Sequence, residues 1–101
     1  MNILITSSPD FNDYDFFIWG MFVVFEELKN NTDEFVLYPR GNTYLSALEF
    51  SNKIGDSMRT RGFKVITKQF EPAMLYDKDY WVHFMLRGER APLKVDKTFT
   101  L

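Results

Sequence analysis

The chain has no cysteine and a single histidine, His83, among its 101 residues. Disulfide bonds, thiolate metal sites and cysteine nucleophiles are therefore excluded, and one imidazole is too few for a typical zinc site. No apolar run reaches the roughly 18 residues that a membrane-spanning helix needs. The most apolar stretch, residues 16–25, has acidic residues close to both of its ends. The sequence therefore predicts neither a membrane span nor a metal centre.

Neither sign of charge is in large excess, because 12 Lys and Arg stand against 14 Asp and Glu. A protein that grips nucleic acid through its phosphates normally carries a surplus of basic residues, so we predict no nucleic-acid partner. No basic residue precedes the first apolar run, which argues against a signal peptide. The lack of cysteine also fits a cytosolic protein. We predict a cytoplasmic protein with no membrane partner.

Aromatic residues are abundant: 11 Phe, 5 Tyr and 2 Trp make up 18% of the chain. Rings in such number either fill a small core or cover the surface of a partner.

The length corresponds to one domain over residues 1–101, with a core at 1–70 and a C-terminal extension at 71–101.

Apolar periodicity predicts a β-α-β-α-β order in the core. Short β-branched runs indicate strands, and apolar residues three and four apart indicate helices, with Asn12 or Asp13 as the first N-cap and Gly62 as the second C-cap. The fold class is α/β, a small Rossmann-like three-layer domain with a parallel sheet and right-handed crossovers. The predicted elements are strands at 2–6, 34–38 and 63–67 and helices at 13–29 and 43–61.

The C-terminal extension contains two further apolar stretches, at 79–86 and 93–101. They are interpreted as an extra pair of strands. A short helix at 77–85 is the competing interpretation.

Ligands of parallel α/β sheets bind beyond the carboxyl ends of the strands, where two predicted turns lie. Hydroxyls, backbone amides, a guanidinium and a glycine in those turns suit a phosphate group. The alternative is that the serines only cap a turn and that Arg40 pairs with an acidic neighbour. The candidate ligand-binding residues are Thr6, Ser7, Ser8, Arg40, Gly41, Asn42 and Thr43.

No pair of nucleophile and base stands out in the sequence. His83 shares a predicted strand face with Trp81 and Met85, which indicates a packed or surface residue rather than a base. The carboxylates at 10, 13 and 15 suit helix capping and the helix dipole. We expect no catalytic residue and no cofactor.

The first helix is apolar nearly all round, which predicts burial on two sides, by the sheet and by a second molecule or element. Exposed aromatics among charges suit a protein interface, and we expect a homo-oligomer that associates through this helix. Tyr14 or Tyr44 has the alternative role of stacking on a nucleotide base. The candidate interface residues are Phe16, Trp19, Phe22 and Trp81.

Two segments carry a resemblance to a known family: Ile-Leu-Ile-Thr-Ser-Ser-Pro-Asp-Phe at 3–11 and Arg-Gly-Asn-Thr-Tyr-Leu-Ser at 40–46. The chain resembles the SLOG superfamily of Rossmann-like domains, in its YspA-like branch, over residues 2–76. It departs from that family at Ser7, where the family has Gly, at Pro9, where it has Arg, and at Thr43, where it has Asp. The resemblance implies a pocket for a nucleotide derivative, and the departures imply that the pocket is remodelled or closed.

Three functional hypotheses follow. The first is binding of a nucleotide or a nucleotide-derived signal without catalysis, in a small phage-type protein that sequesters a messenger and so counters host defence. The second is inhibition of a host defence protein through the aromatic surface, with an empty pocket. The third, which the resemblance alone suggests, is hydrolysis of nucleotide N-glycosidic bonds.

Overall fold

The computed structural model describes residues 1–40 and 45–101. The predicted site residues Gly41, Asn42 and Thr43, and Tyr44 as well, lie outside the described residues. Within them the chain forms, in order, β1 (Asn2–Ser7), α1 (Tyr14–Leu28), β2 (Glu34–Pro39), α2 (Leu45–Arg59), β3 (Lys64–Thr67), α3 (Met74–Asp77), β4 (Tyr80–Met85) and β5 (Lys97–Thr100).

The five strands form one sheet in the order β3-β2-β1-β4-β5, and every neighbouring pair is parallel. This confirms the predicted α/β class, the parallel β-α-β-α-β core and the extra pair of C-terminal strands. Residues 80–85 are a strand, so the helix interpretation of 77–85 is wrong, although the four-residue α3 lies just before β4. The chain joins β4 to β5 without a described helix between them.

One face of the sheet packs against α1 and α2 through a core made largely of rings. Alternate residues of the strands point to this face, as the pleat of a strand requires. Phe84 is completely buried, and its ring lies 4.8 Å from that of Phe17 on α1 and 5.3 Å from that of Phe99 on β5. Most of the aromatic surplus is thus used inside the domain. The core cluster is Ile3, Ile5, Phe11, Phe17, Met21, Val24, Phe25, Phe35, Leu37, Phe50, Ile54, Met58, Phe63, Val65, Val82, Phe84 and Phe99.

Local sequence signals mark the beginning of α1 and the end of α2. The side chain of Asp13 accepts a hydrogen bond from the amide of Phe16 at 3.0 Å, so Asp13 is the N-cap of α1. After α2, Gly62 has φ +90°, a conformation that glycine adopts without strain, and its amide donates to the carbonyl of Arg59. Both caps agree with the sequence prediction.

The opposite face of the sheet carries the other set of alternating residues, including Leu4, Thr6 and His83, all buried. Because β4 lies on the other side of β1 from β2, a right-handed crossover from β3 to β4 passes over this face. The short α3 lies on that crossover, and its Met74 is buried. No helix in the described part of the chain is long and apolar enough to cross a membrane.

Candidate binding surfaces

The carboxyl ends of β1, β2 and β4 meet at one edge of the sheet. The amide of Arg40, directly after β2, donates to the carbonyl of Ile5 at 2.9 Å, and the amide of Ser8 donates to the carbonyl of Phe84 at 2.9 Å. The gap between β1 and β4 is the point where the strand order reverses, which is where open α/β sheets bind ligands. The structure therefore brings four predicted ligand-binding residues, Thr6, Ser7, Ser8 and Arg40, to the edge where they were expected.

The last two residues of β1 and the residue after it do not form an open cradle at this edge. Thr6, Ser7 and Ser8 are only 4%, 2% and 5% exposed. Thr6 and Ser7 point to opposite faces of the sheet, because successive residues of a strand alternate. The Ser8 hydroxyl is buried and has no hydrogen-bond partner among the described residues.

The amino end of α1 is already supplied with negative charge. One of the backbone amides at this helix end, that of Phe16, is bonded to the carboxylate of Asp13. Asp10 and Asp15 are exposed nearby and add to the negative potential. An anion at this helix end would therefore meet repulsion as well as amides.

Arg40 is partly buried at the end of β2. Its guanidinium carbon lies 5.6 Å from the centre of the Phe70 ring, a cation–π distance. The guanidinium therefore contributes to packing of the segment that leads away from β3.

Thr6 is the centre of a small polar cluster that the sequence did not reveal. The indole Nε1 of Trp81 donates to Thr6 Oγ1 at 2.9 Å, and Thr6 Oγ1 lies 2.7 Å from His83 Nδ1. Because the indole is only a donor, the Thr6 oxygen accepts from it. The Thr6 hydroxyl also bonds His83 Nδ1, as donor to an unprotonated nitrogen or as acceptor from a protonated one. The cluster positions β4 against β1 rather than presenting a base to solvent.

We expect Thr6→Val to lower the free energy of unfolding by about 2 kcal/mol, because it leaves the Trp81 indole N–H and the His83 Nδ1 without partners. Urea unfolding followed by circular dichroism measures the loss. Thr98→Val is the matched control, since Thr98 pairs with His83 in the sheet register but its side chain makes no described hydrogen bond. Equal losses for the two variants would contradict a special role of the Thr6 cluster.

Burial lowers the pKa of His83 below its ordinary value of 6.5, and the nearby Glu89 carboxylate opposes this shift only in part. The unfolded chain therefore binds a proton at a higher pH than the folded chain does. Stability is complete above about pH 6.5 and falls as the pH drops from there through the lower folded-state pKa. We expect His83→Gln to flatten this dependence between pH 7 and 5, measured as the melting temperature of both proteins in matched buffers. A wild-type melting temperature that does not fall across this window would contradict the prediction.

The solvent side of α1 carries an exposed indole ring. Trp19 is 53% exposed, while its ring packs at 5.5 Å against both Phe16 and Phe99. Beside it is a groove of about 240 Å³ between α1 and the end of α2. The guanidinium carbon of Arg61 lies 4.5 Å from the ring centre of Phe22 at this groove. We call this region the α1 surface; it consists of Ile18, Trp19, Phe22, Met58 and Arg61.

The structure separates the four predicted interface residues. Trp19 and Phe22 belong to the α1 surface, and the partly buried Phe16 packs against the Trp19 ring. Trp81 lies on the opposite face of the sheet, where its indole bonds Thr6 and lies 5.5 Å from the Lys78 ammonium. Only three of the four therefore share one side of the domain.

A second groove, of about 320 Å³, lies at the amino ends of β2 and β3. It includes Val36 and Ile66, and Ile66 is 54% exposed. Parallel sheets bind their ligands at the other end of the strands, so we assign no ligand to this groove. Among residues 1–40 and 45–101, no group of His, Asp and Glu side chains is placed to hold a metal ion.

These features define a small α/β domain of Rossmann-like type, with an all-parallel sheet. Comparison of the chain with protein-family models, curated proteins and solved structures finds no match. The carboxyl edge of the sheet and the α1 surface are therefore the features of the molecule that bear on its function.

Proposed function

We propose that this domain binds another protein through the α1 surface. The observation that supports the proposal is the position of Trp19, a half-exposed indole beside an apolar groove whose rim carries the guanidinium of Arg61. Tryptophan and arginine are the residues that most often dominate binding energy at protein interfaces, especially next to a pocket that excludes water. Inhibition of a host defence protein in the cytoplasm is one role that such a surface would serve.

Site-specific photo-crosslinking tests this proposal. A benzoylphenylalanine is substituted at Trp19, and at Tyr76 as the control, because Tyr76 is an aromatic residue that is 87% exposed and lies in α3, away from the α1 surface. The protein is irradiated in its native cells and in purified form. We expect a discrete protein adduct from position 19 and none from position 76. Equal adducts from both positions, or no adduct from either, would contradict the proposal.

A nucleotide-derived ligand at the carboxyl edge is the second candidate. Two observations favour it: the strand order places β1 and β4 at a switch point, and the buried Ser8 hydroxyl there has no hydrogen-bond partner among residues 1–40 and 45–101. A ligand oxygen that accepted from Ser8 would relieve a cost of about 1–3 kcal/mol. The SLOG resemblance implies a pocket for a nucleotide derivative, and a protein that held such a messenger without catalysis would sequester it.

Thermal denaturation with a panel of nucleotides and cyclic dinucleotides tests the second candidate. A bound ligand raises the melting temperature, by an amount that grows with ligand concentration. We expect Arg40→Ala to reduce the shift and Trp19→Ala to leave it unchanged. If no compound in the panel raises the melting temperature, the second candidate is contradicted and the α1 surface remains the proposed binding site.

A further inference from the structure

We propose that the occupant of the α1 surface is a second copy of this chain. Two copies would meet about a two-fold axis, and Trp19 of each would enter the groove of the other. This inference rests on the proposed function, since it names the partner for the same surface. It makes the domain a homodimer whose contact is built from α1 and the end of α2.

The surface carries both a projection and a recess, side by side on one helix. Trp19 projects from α1, and the groove beside it includes Ile18 and Phe22, one position before Trp19 and three positions after it. A two-fold rotation brings each projection to the other copy's recess, so one patch supplies both halves of the contact. The groove has a volume of about 240 Å³, which is large enough to admit an incoming side chain in place of water.

Charge complementarity favours the same occupant. The exposed Arg61 guanidinium lies over the Phe22 ring, so one of its faces is already against an aromatic surface. An indole is the best aromatic partner for a cation, and Trp19 of a second copy would cover the other side of the guanidinium. The formal net charge of −2 is small, so long-range repulsion between copies is weak.

The dimensions of the surface set the expected strength. α1 has 15 residues and is therefore about 22 Å long, which is short for an interface of standard size. The exposed Arg61, just after α2, widens the contact beyond the helix itself, with the buried Met58 at the floor of the groove. We therefore expect a dimer with a dissociation constant on the order of 10 µM, typical of small interfaces.

Sedimentation velocity over roughly 1–300 µM protein tests the inference, because this range brackets the expected dissociation constant. The mass should rise with concentration from the monomer's 12.0 kDa towards twice that value. Tryptophan emission should shift to shorter wavelength over the same range as the exposed Trp19 ring is covered, while Trp81, on the other face of the sheet, contributes a constant background. We expect Trp19→Ala to raise the dissociation constant more than tenfold and Tyr76→Ala to leave it within twofold.

A second variant guards against a folding defect, because Trp19 also packs on Phe16 and Phe99. Arg61 is exposed and follows α2, so Arg61→Gln keeps the core intact while removing the cation. We expect a dissociation constant raised about fivefold, with an unchanged circular dichroism spectrum. A dimer that both variants leave intact would overturn the inference.

Failure of the inference and failure of the proposed function give different results. A wild-type protein that remains monomeric to about 300 µM, yet gives a Trp19-dependent adduct with a different protein, overturns the second copy and leaves the proposed function standing. A monomer without any adduct at position 19 overturns both. A photo-adduct of the purified protein at twice the chain mass supports both.

Discussion

Phe84→Ala is expected to lower the free energy of unfolding by about 4 kcal/mol, the middle of the range for truncating a buried Phe. The ring is completely buried on β4 and contacts rings of the β1–α1 turn, α1 and β5, with centres 5.4 Å from Phe11, 4.8 Å from Phe17 and 5.3 Å from Phe99. Its removal leaves a cavity that these three elements share, so no single element can move to fill it. A domain of this size has only about 5–15 kcal/mol of stability in total.

Chemical denaturation measures the Phe84 effect, and two further variants calibrate it. Phe84→Leu retains most of the apolar volume and should recover at least half of the lost stability. Tyr76→Ala removes an aromatic ring that is 87% exposed, so it should change stability by no more than about 0.5 kcal/mol. A loss below about 2 kcal/mol for Phe84→Ala would show that the aromatic core is loosely packed.

Gly20→Val is expected to cost about 3 kcal/mol, although valine is a better helix former than glycine. A Cβ atom at position 20 of α1 would lie 2.7 Å from Cε1 of Phe84 and 3.2 Å from Cδ2 of Phe99. Both rings are held by the core beneath them, so the helix must move away from β4 and β5. The glycine thus permits close approach of the helix to the sheet.

Gly55 provides the matched control for Gly20, because both glycines lie inside 15-residue helices. A Cβ atom at Gly55 would be 3.5 Å from the carbonyl oxygen of Val65, an ordinary contact. Gly55→Ala should therefore raise stability by up to about 1 kcal/mol through helix propensity. Melting curves of the two variants should move in opposite directions; a stabilised Gly20→Val would contradict the packing argument.

The order of strands and helices was predictable because it depends on local patterns. The β-branched run at 2–6 and the apolar residues three and four positions apart in α1 indicate their elements without knowledge of the rest of the chain. The N-cap at Asp13 and the cap at Gly62 follow from the same local chemistry. Short connections between these elements then favoured a parallel sheet.

The polar cluster and the division of the aromatic residues could not be predicted, because both depend on β4 and β5. Nothing in the sequence states that β4 pairs with β1, so the contact of Thr6 with His83, 77 residues away, had no local signal. Phe16 was expected at an interface, but it packs within the domain, where its ring centre lies 6.5 Å from that of Phe99 on β5. Trp19 differs because no described strand covers it, and its exposure agrees with the excess of apolar residues that the sequence shows around α1.

The position of β1 in the middle of the sheet also bears on the rate of folding. On one side, the backbone of β1 pairs with β2, which is about thirty residues away in the sequence. On the other side it pairs with β4, which is more than seventy residues away. Closing so long a loop costs entropy before any contact compensates for it. We therefore expect the β1–α1–β2–α2–β3 half to order first, and docking of the last two strands to limit the rate at which the native state is reached.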